Sequence, residues 1–338
     1  MLSGPFADLS KLARRLAGQI VVVVGLCAAT SSANDLLIKN SAEIDRYDGQ
    51  TGALIGFFST ALETPEGFCY NADGKFCVVG NALGMGHLEI EGVSGPPEFS
   101  PIYQIPHAIT LGPDGRIYGT SNHFSGTGIT GVVRFNGRTP EPFVTSDVTS
   151  AFDIRFGPDH NLYLTQDPGG TPSETTKVLR FNGTTGAFMG VFASGGGLTN
   201  AAGFTFGPDG DLFVASLTGN VLRFDGTSGA FEGTFVPAGS GGLTLAWDLE
   251  FGSDGKLYVL GRGGNVAGVR RYDGSTGAYL DTFVPQTAAN GGTMIGFVVP
   301  EPSTTLLLAV GSLAFAMRRR PSYSPSNKVG SLTRLGSA

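Results

Sequence analysis

One eleven-residue pattern recurs along the chain. Its clearest copy reads Phe204-Thr-Phe-Gly-Pro-Asp-Gly-Asp-Leu-Phe-Val214. It returns as Ile109-Thr-Leu-Gly-Pro-Asp-Gly-Arg-Ile-Tyr-Gly119, as Ile154-Arg-Phe-Gly-Pro-Asp-His-Asn-Leu-Tyr-Leu164 and as Leu249-Glu-Phe-Gly-Ser-Asp-Gly-Lys-Leu-Tyr-Val259, with a weaker copy at Phe68-Cys-Tyr-Asn-Ala-Asp-Gly-Lys-Phe-Cys-Val78. Each is a short alternating strand, a turn and a second strand. Asp and Gly supply the turn, Gly because a tight hairpin needs positive φ. A second pattern follows each time, clearest as Val221-Leu-Arg-Phe-Asp-Gly-Thr-Ser-Gly-Ala-Phe231. Residues 178–188 and 269–279 match it closely, 44–54 is another copy, 133–137 keeps its first half, and 88–95 is degenerate. These six second hairpins lie roughly 43 to 48 residues apart, the length of a four-stranded propeller blade.

The first pattern occurs five times, once fewer than the second, and the ends account for the difference. Asp35-Leu-Leu-Ile38 aligns with Asp211-Leu-Phe-Val214, so the repeats begin at the second strand of a blade. Met294-Ile-Gly-Phe-Val-Val299 aligns with the stretch ending at Phe206, so they finish on a first strand. The spacing therefore predicts an all-β, six-bladed β-propeller over residues 34–299, with one blade shared between the N-terminal and C-terminal strands. Such closure leaves no open gap in the ring. The composition suits this fold, with 53 Gly, 41% hydrophobic and 15% charged residues. A net charge of −6 without a basic stretch in the repeats excludes nucleic acid as a partner.

The repeats resemble the NHL and gluconolactonase/regucalcin-like group of six-bladed propellers over about residues 35–299. The residues that carry the resemblance are the Gly-Pro-Asp-Gly hairpins followed by Leu-Tyr-Val or Leu-Phe-Val strands. Motifs of this kind specify fold better than chemistry.

Both ends differ from the repeats. Lys11, Arg14 and Arg15 precede an apolar run over 20–29 and the small residues Ser31-Ser32-Ala33, which reads as a secretory signal peptide over residues 1–33. Leu26 before Cys27 stands where lipoprotein processing needs a small residue. After the repeats come Pro300-Glu301-Pro302, an apolar run over 304–317, and Arg318-Arg319-Arg320. This order resembles the PEP-CTERM sorting signal of Gram-negative bacteria over 300–320. It implies a transmembrane helix that stops transiently in the inner membrane, with the arginines on the cytoplasmic side. It also implies cutting near Pro300-Glu301-Pro302 by an exosortase and release toward the cell surface. Residues 321–338 form a polar tail beyond the point where such signals usually end.

Propellers bind ligands at the central channel, where the first strands begin. Glu66, His107, Asp153 and Asp248 stand at those starts, and three carboxylates with an imidazole could hold a divalent cation. The gluconolactonase-like resemblance implies a Glu, an Asn and an Asp at equivalent strand starts. Glu66 fits the first place, but Phe152, Ala202 and Trp247 fill others and do not ligate. Asp153 and Asp248 lie one residue off, and alternation predicts that they point elsewhere. No cofactor is therefore expected. Cys69 and Cys77, symmetric about Asp73 in a predicted hairpin, are placed for a disulfide in an oxidising compartment. No phosphate loop and no nucleophile elbow with a His partner is present. Two functions fit: a non-catalytic surface module binding extracellular polysaccharide or protein after passage through the secretion machinery, or a metal-dependent lactonase or esterase.

Overall fold

In the computed structural model the described residues are 35–298, apart from 41–42, 59–61, 63, 83–84, 92–107, 122–130, 149–150, 167–175, 263–266 and 286–291. All of them belong to the first of two units of the chain, Met1–Pro300. Residues 1–33, where the sequence predicts a signal peptide, Pro300, Glu301, Pro302, the apolar run, Arg318, Arg319, Arg320, residues 321–338 and His107 lie outside the described residues. Among the described residues no helix is long and apolar enough to cross a membrane.

The strands form six sheets. The chain enters with β1 (Leu36–Lys39), β2 (Ile44–Tyr47) and β3 (Leu54–Phe58). The next sheet holds β4 (Thr64–Tyr70), β5 (Phe76–Ala82) and β6 (Met85–Ile90). Four-stranded sheets follow: β7 to β10 (Ile109–Leu111, Ile117–Ser121, Gly131–Asn136, Thr139–Val144) and β11 to β14 (Ala151–Phe156, Leu162–Gln166, Lys177–Phe181, Phe188–Ala193). Two more are β15 to β18 (Ala201–Phe206, Leu212–Ser216, Val221–Phe224, Phe231–Val236) and β19 to β22 (Ala246–Phe251, Leu257–Gly261, Gly268–Tyr272, Tyr279–Val284). The last strand, β23 (Met294–Phe297), returns to the first sheet and pairs antiparallel with β1, Leu36 opposite Phe297 and Lys39 opposite Met294. Backbone bonds extend this seam at both ends, Thr293 N–H to the Lys39 carbonyl and Val298 N–H to the Asp35 carbonyl, each 2.9 Å. The fold is thus the six-bladed propeller that the repeats predict, its shared blade built from one C-terminal and three N-terminal strands.

The first strands β4, β7, β11, β15, β19 and β23 line the centre, each in contact with the next, and β1 meets β4. Apolar side chains pack between neighbouring blades. Tyr118, Tyr163, Phe213 and Tyr258 on second strands each stand between two phenylalanines. One lies on the outer strand of the same blade (Phe143, Phe192, Phe235, Phe283) and one on the first strand of the next (Phe156, Phe206, Phe251, Phe297). Ring centroids are 4.8–5.4 Å apart, in the edge-to-face geometry aromatic rings favour. The turn aspartate ties this ring down: Tyr118, Tyr163 and Tyr258 donate their hydroxyls to Asp114, Asp159 and Asp254 at 3.0, 2.9 and 3.2 Å. Hence the recurring Asp-to-Tyr spacing in the sequence. Among the described residues, large exposed apolar side chains, such as Leu54, Phe57, Met189 and Leu280, are confined to outer strands.

The second blade departs from the pattern. Cys77 occupies the place of the central aromatic, and Phe76 stacks on Phe58 at 4.5 Å instead. Cys69 and Cys77 are direct cross-strand partners, as their symmetry about Asp73 requires. Both are free thiols in this structure. The Cys69 thiol donates to Cys77, and this bond, with burial, holds it well above the usual thiol range. Cys77 in turn donates to the Lys75 carbonyl at 3.5 Å.

Candidate ligand-binding site at the channel mouth

Four first strands carry a register shift at the same point. It falls between Pro65 and Gly67, Ala151 and Ile154, Ala201 and Phe204, and Ala246 and Asp248. A bulge places two residues against one partner and breaks strand alternation. Both members of the pairs Phe152-Asp153 and Trp247-Asp248 consequently reach the channel wall. Alternation had predicted that Asp153 and Asp248 point elsewhere. Instead they line, with Glu66, one cavity of about 330 Å³, together with Lys39, Phe152 and Trp247.

The aromatic pair comes from blades two apart. Phe152 and Trp247 meet edge to face at 5.5 Å, and the Arg262 guanidinium lies 4.3 Å from the Trp247 ring. They can meet because the intervening blade offers only Ala202 and Gly203 at these positions. Gly203 is required there, since a Cβ on it would stand 2.2 Å from Asp248 Oδ1.

Beneath the aromatics the two aspartates are buried and bonded to backbone. Asp153 accepts the N–H of Phe204 at 3.1 Å and of Ile154 at 2.8 Å. Asp248 accepts the N–H of Ile295 at 2.8 Å and of Leu249 at 2.9 Å. Each thus links its blade to the next first strand. One step deeper, Arg155 pairs with Glu250 and lies 3.5 Å from Asp153 and 3.8 Å from Asp248. Thr205 donates to Glu250 at 3.2 Å. On the opposite wall Lys39, buried, pairs with Glu66 at 3.3 Å. Burial pushes Asp248 up to about 8. Arg155 opposes the rise, and Asp153 and Glu250 add to it. Asp153 is likewise raised, mainly by burial. Burial works against the charge on Arg155, but Glu250, Asp153 and Asp248 keep it firmly protonated. On the far side of Arg155 and Glu250 the channel opens into a second cavity of about 420 Å³.

Sequence reasoning placed Glu66, Asp153 and Asp248 but missed Lys39, Arg155, Glu250 and Arg262. Arg155 and Glu250 follow Asp153 and Asp248 by two residues, so a strand wall read at i and i+2 finds them. Among the described residues, the acids whose oxygens lie within 4.8 Å of one another are Asp211, Asp225 and Glu232, on another part of the fold. There Arg223 already pairs with Asp211 and with Glu232, the latter at 2.8 Å.

Residues 298–320 match the PEP-CTERM protein-sorting motif. No curated protein matches the chain. Among solved structures, a protein of unknown function from Bacteroides caccae is similar at 14% identity and a TM-score of 0.58, over 78% of this chain and 98% of that one. A virginiamycin B lyase from Staphylococcus aureus, in a catalytically inactive form with quinupristin, is similar at 15% identity and a TM-score of 0.53, over 76% and 87%. A gluconolactonase from Xanthomonas campestris aligns at 20% identity over 65% and 76%, with a TM-score of 0.47. At these identities the likeness concerns the fold alone.

Proposed function

We propose that this chain is an exported propeller that binds an extracellular glycan, without catalysis, in the cavity lined by Trp247, Phe152, Lys39 and Glu66. The sorting-motif match over 298–320 supports an exported protein handled by an exosortase-type enzyme. On this reading residues 1–33 are a signal peptide and 304–317 hold the precursor in the inner membrane. Cutting near Pro300-Glu301-Pro302 then frees the ring at the cell surface.

The observation that carries the binding assignment is the aromatic pair beside the Lys39–Glu66 ion pair in one cavity. A sugar presents an apolar C–H face, which an aromatic ring accepts, and hydroxyls, which charged side chains bind. Ligand sites combine apolar walls with a few convergent polar groups in this manner. The carboxylates Asp153 and Asp248 are already engaged by backbone N–H groups, which favours holding a ligand over transforming one.

Trp247 is the only tryptophan in the chain, so its emission reports on this cavity alone. Glycans that bind on an array are expected to shift that emission, and Trp247→Ala is expected to lose their binding while remaining folded. Unaltered array binding by Trp247→Ala removes the cavity from the assignment. Cell fractionation with and without residues 300–320 tests the destination, and an unchanged location rules out sorting by that segment.

A further inference from the structure

Among the described residues the charges around the cavity do not balance. Among the described residues, four carboxylates face it or its floor: Glu66 from β4, Asp153 from β11, and Asp248 and Glu250 from β19. Three cations answer them. Lys39 on β1 pairs with Glu66, Arg155 on β11 serves Asp153, Asp248 and Glu250 together, and Arg262 lies over Trp247. The other groups packed on the floor, Thr205 and the N–H groups of Phe204 and Ile295, carry no charge. Three carboxylates on one guanidinium in a buried place leave two negative charges uncompensated when all three are ionised, which low-dielectric surroundings penalise.

From this arrangement we infer that the ligand carries a protonated amine, an amino sugar or an amino-bearing stretch of polysaccharide, whose ammonium enters between the aromatic pair and the carboxylates and supplies one of the missing positive charges. The inference rests on the glycan reading of the same cavity. The aromatic pair agrees with it. Ring faces attract cations, and Arg262 already uses the Trp247 ring in that way. The pKa of Asp248, raised first by burial and further by Asp153 and Glu250, puts a proton at the position that the ligand's charge would compensate. Ammonium binding therefore releases that proton, and the two equilibria are linked.

The test uses the full propeller with a glucosamine tetramer and an N-acetylglucosamine tetramer at pH 6, where the free amine is charged. Trp247 emission gives affinity. Calorimetry in two buffers of different ionisation heat gives proton release. The amino tetramer is expected to bind roughly tenfold tighter, as one compensated charge allows, and to release about one proton per site. Asp248→Asn should abolish both the preference and the proton release. Glu66→Gln, a substitution outside the ring-closing contacts, should reduce the preference independently. Equal affinity for the two tetramers overturns the amine assignment and leaves the glycan reading standing. Calcium alone causing the same proton release overturns it in favour of a metal ion. If no glycan on the array and neither tetramer moves Trp247 emission, the glycan reading itself falls.

Discussion

Asp248 Oδ2 accepts the backbone N–H of Ile295 at 2.8 Å, so a carboxylate of one blade holds the strand that closes the ring. Ile295 is buried, and no water replaces a lost acceptor there at low cost. Asp248→Ala is expected to lower stability by about 1–3 kcal/mol, the penalty for a buried donor without a partner. Urea unfolding measures it, and an unchanged midpoint refutes it.

The same residue sets the direction of a pH dependence. The folded protein holds the Asp248 proton up to about 8, whereas an ordinary aspartate releases it near 3.8. Between these values the folded state binds the extra proton. Its stabilising contribution is complete below the ordinary carboxylate range and is lost as pH rises through about 8. Asp153, also raised, acts in the same direction. The melting temperature should fall from pH 5 to pH 9, and the fall should be shallower in Asp248→Asn. Parallel profiles for the two proteins contradict the assignment.

The ring and its seam were legible in the sequence because the aromatic and turn positions repeat. Tyr118, Tyr163, Phe213 and Tyr258 recur at one place in the pattern, and Asp35-Leu-Leu-Ile38 matches the start of that second strand. The site was legible only in part. Strand starts pointed to Glu66, Asp153 and Asp248, but alternation misdirected the two aspartates, because a bulge is a backbone event that Ala151-Phe152-Asp153 does not announce. The Arg155–Glu250 pair reaches across the intervening blade, and what permits it is the short side chain of Thr205 between them. A repeat alignment treats such positions as variable. The recurrence of Ala-aromatic-Asp at 151–153 and 246–248 was the available signal.

Gly52 tests the seam from the other side of the shared blade. It has φ +69, and a Cβ there would meet the Phe283 carbonyl oxygen at 2.0 Å, across the junction with the preceding blade. Gly137 has a similar φ of +62 with open space around it. Gly137→Ala should therefore cost only the left-handed backbone penalty, about 1–2 kcal/mol. Gly52→Ala should cost distinctly more, because the blades must also separate. Equal losses in denaturant unfolding would show that Gly52 matters for its turn alone.

Tyr163 separates the two roles of the central aromatic. Its ring lies 4.9 Å from Phe192 and 5.1 Å from Phe206, bridging two blades, while its hydroxyl donates to Asp159. Asp159 also accepts the backbone N–H and the side-chain amide of Asn161, so removing the hydroxyl does not leave the carboxylate without donors. Tyr163→Phe should cost about 0.5–1.5 kcal/mol, the net value of one hydrogen bond. Phe213 at the equivalent position already lacks a hydroxyl. Tyr163→Ala empties the junction and should cost about 3–5 kcal/mol. If the two losses are similar in thermal and denaturant unfolding, the blades are joined through the turn aspartate and not through the stacked rings.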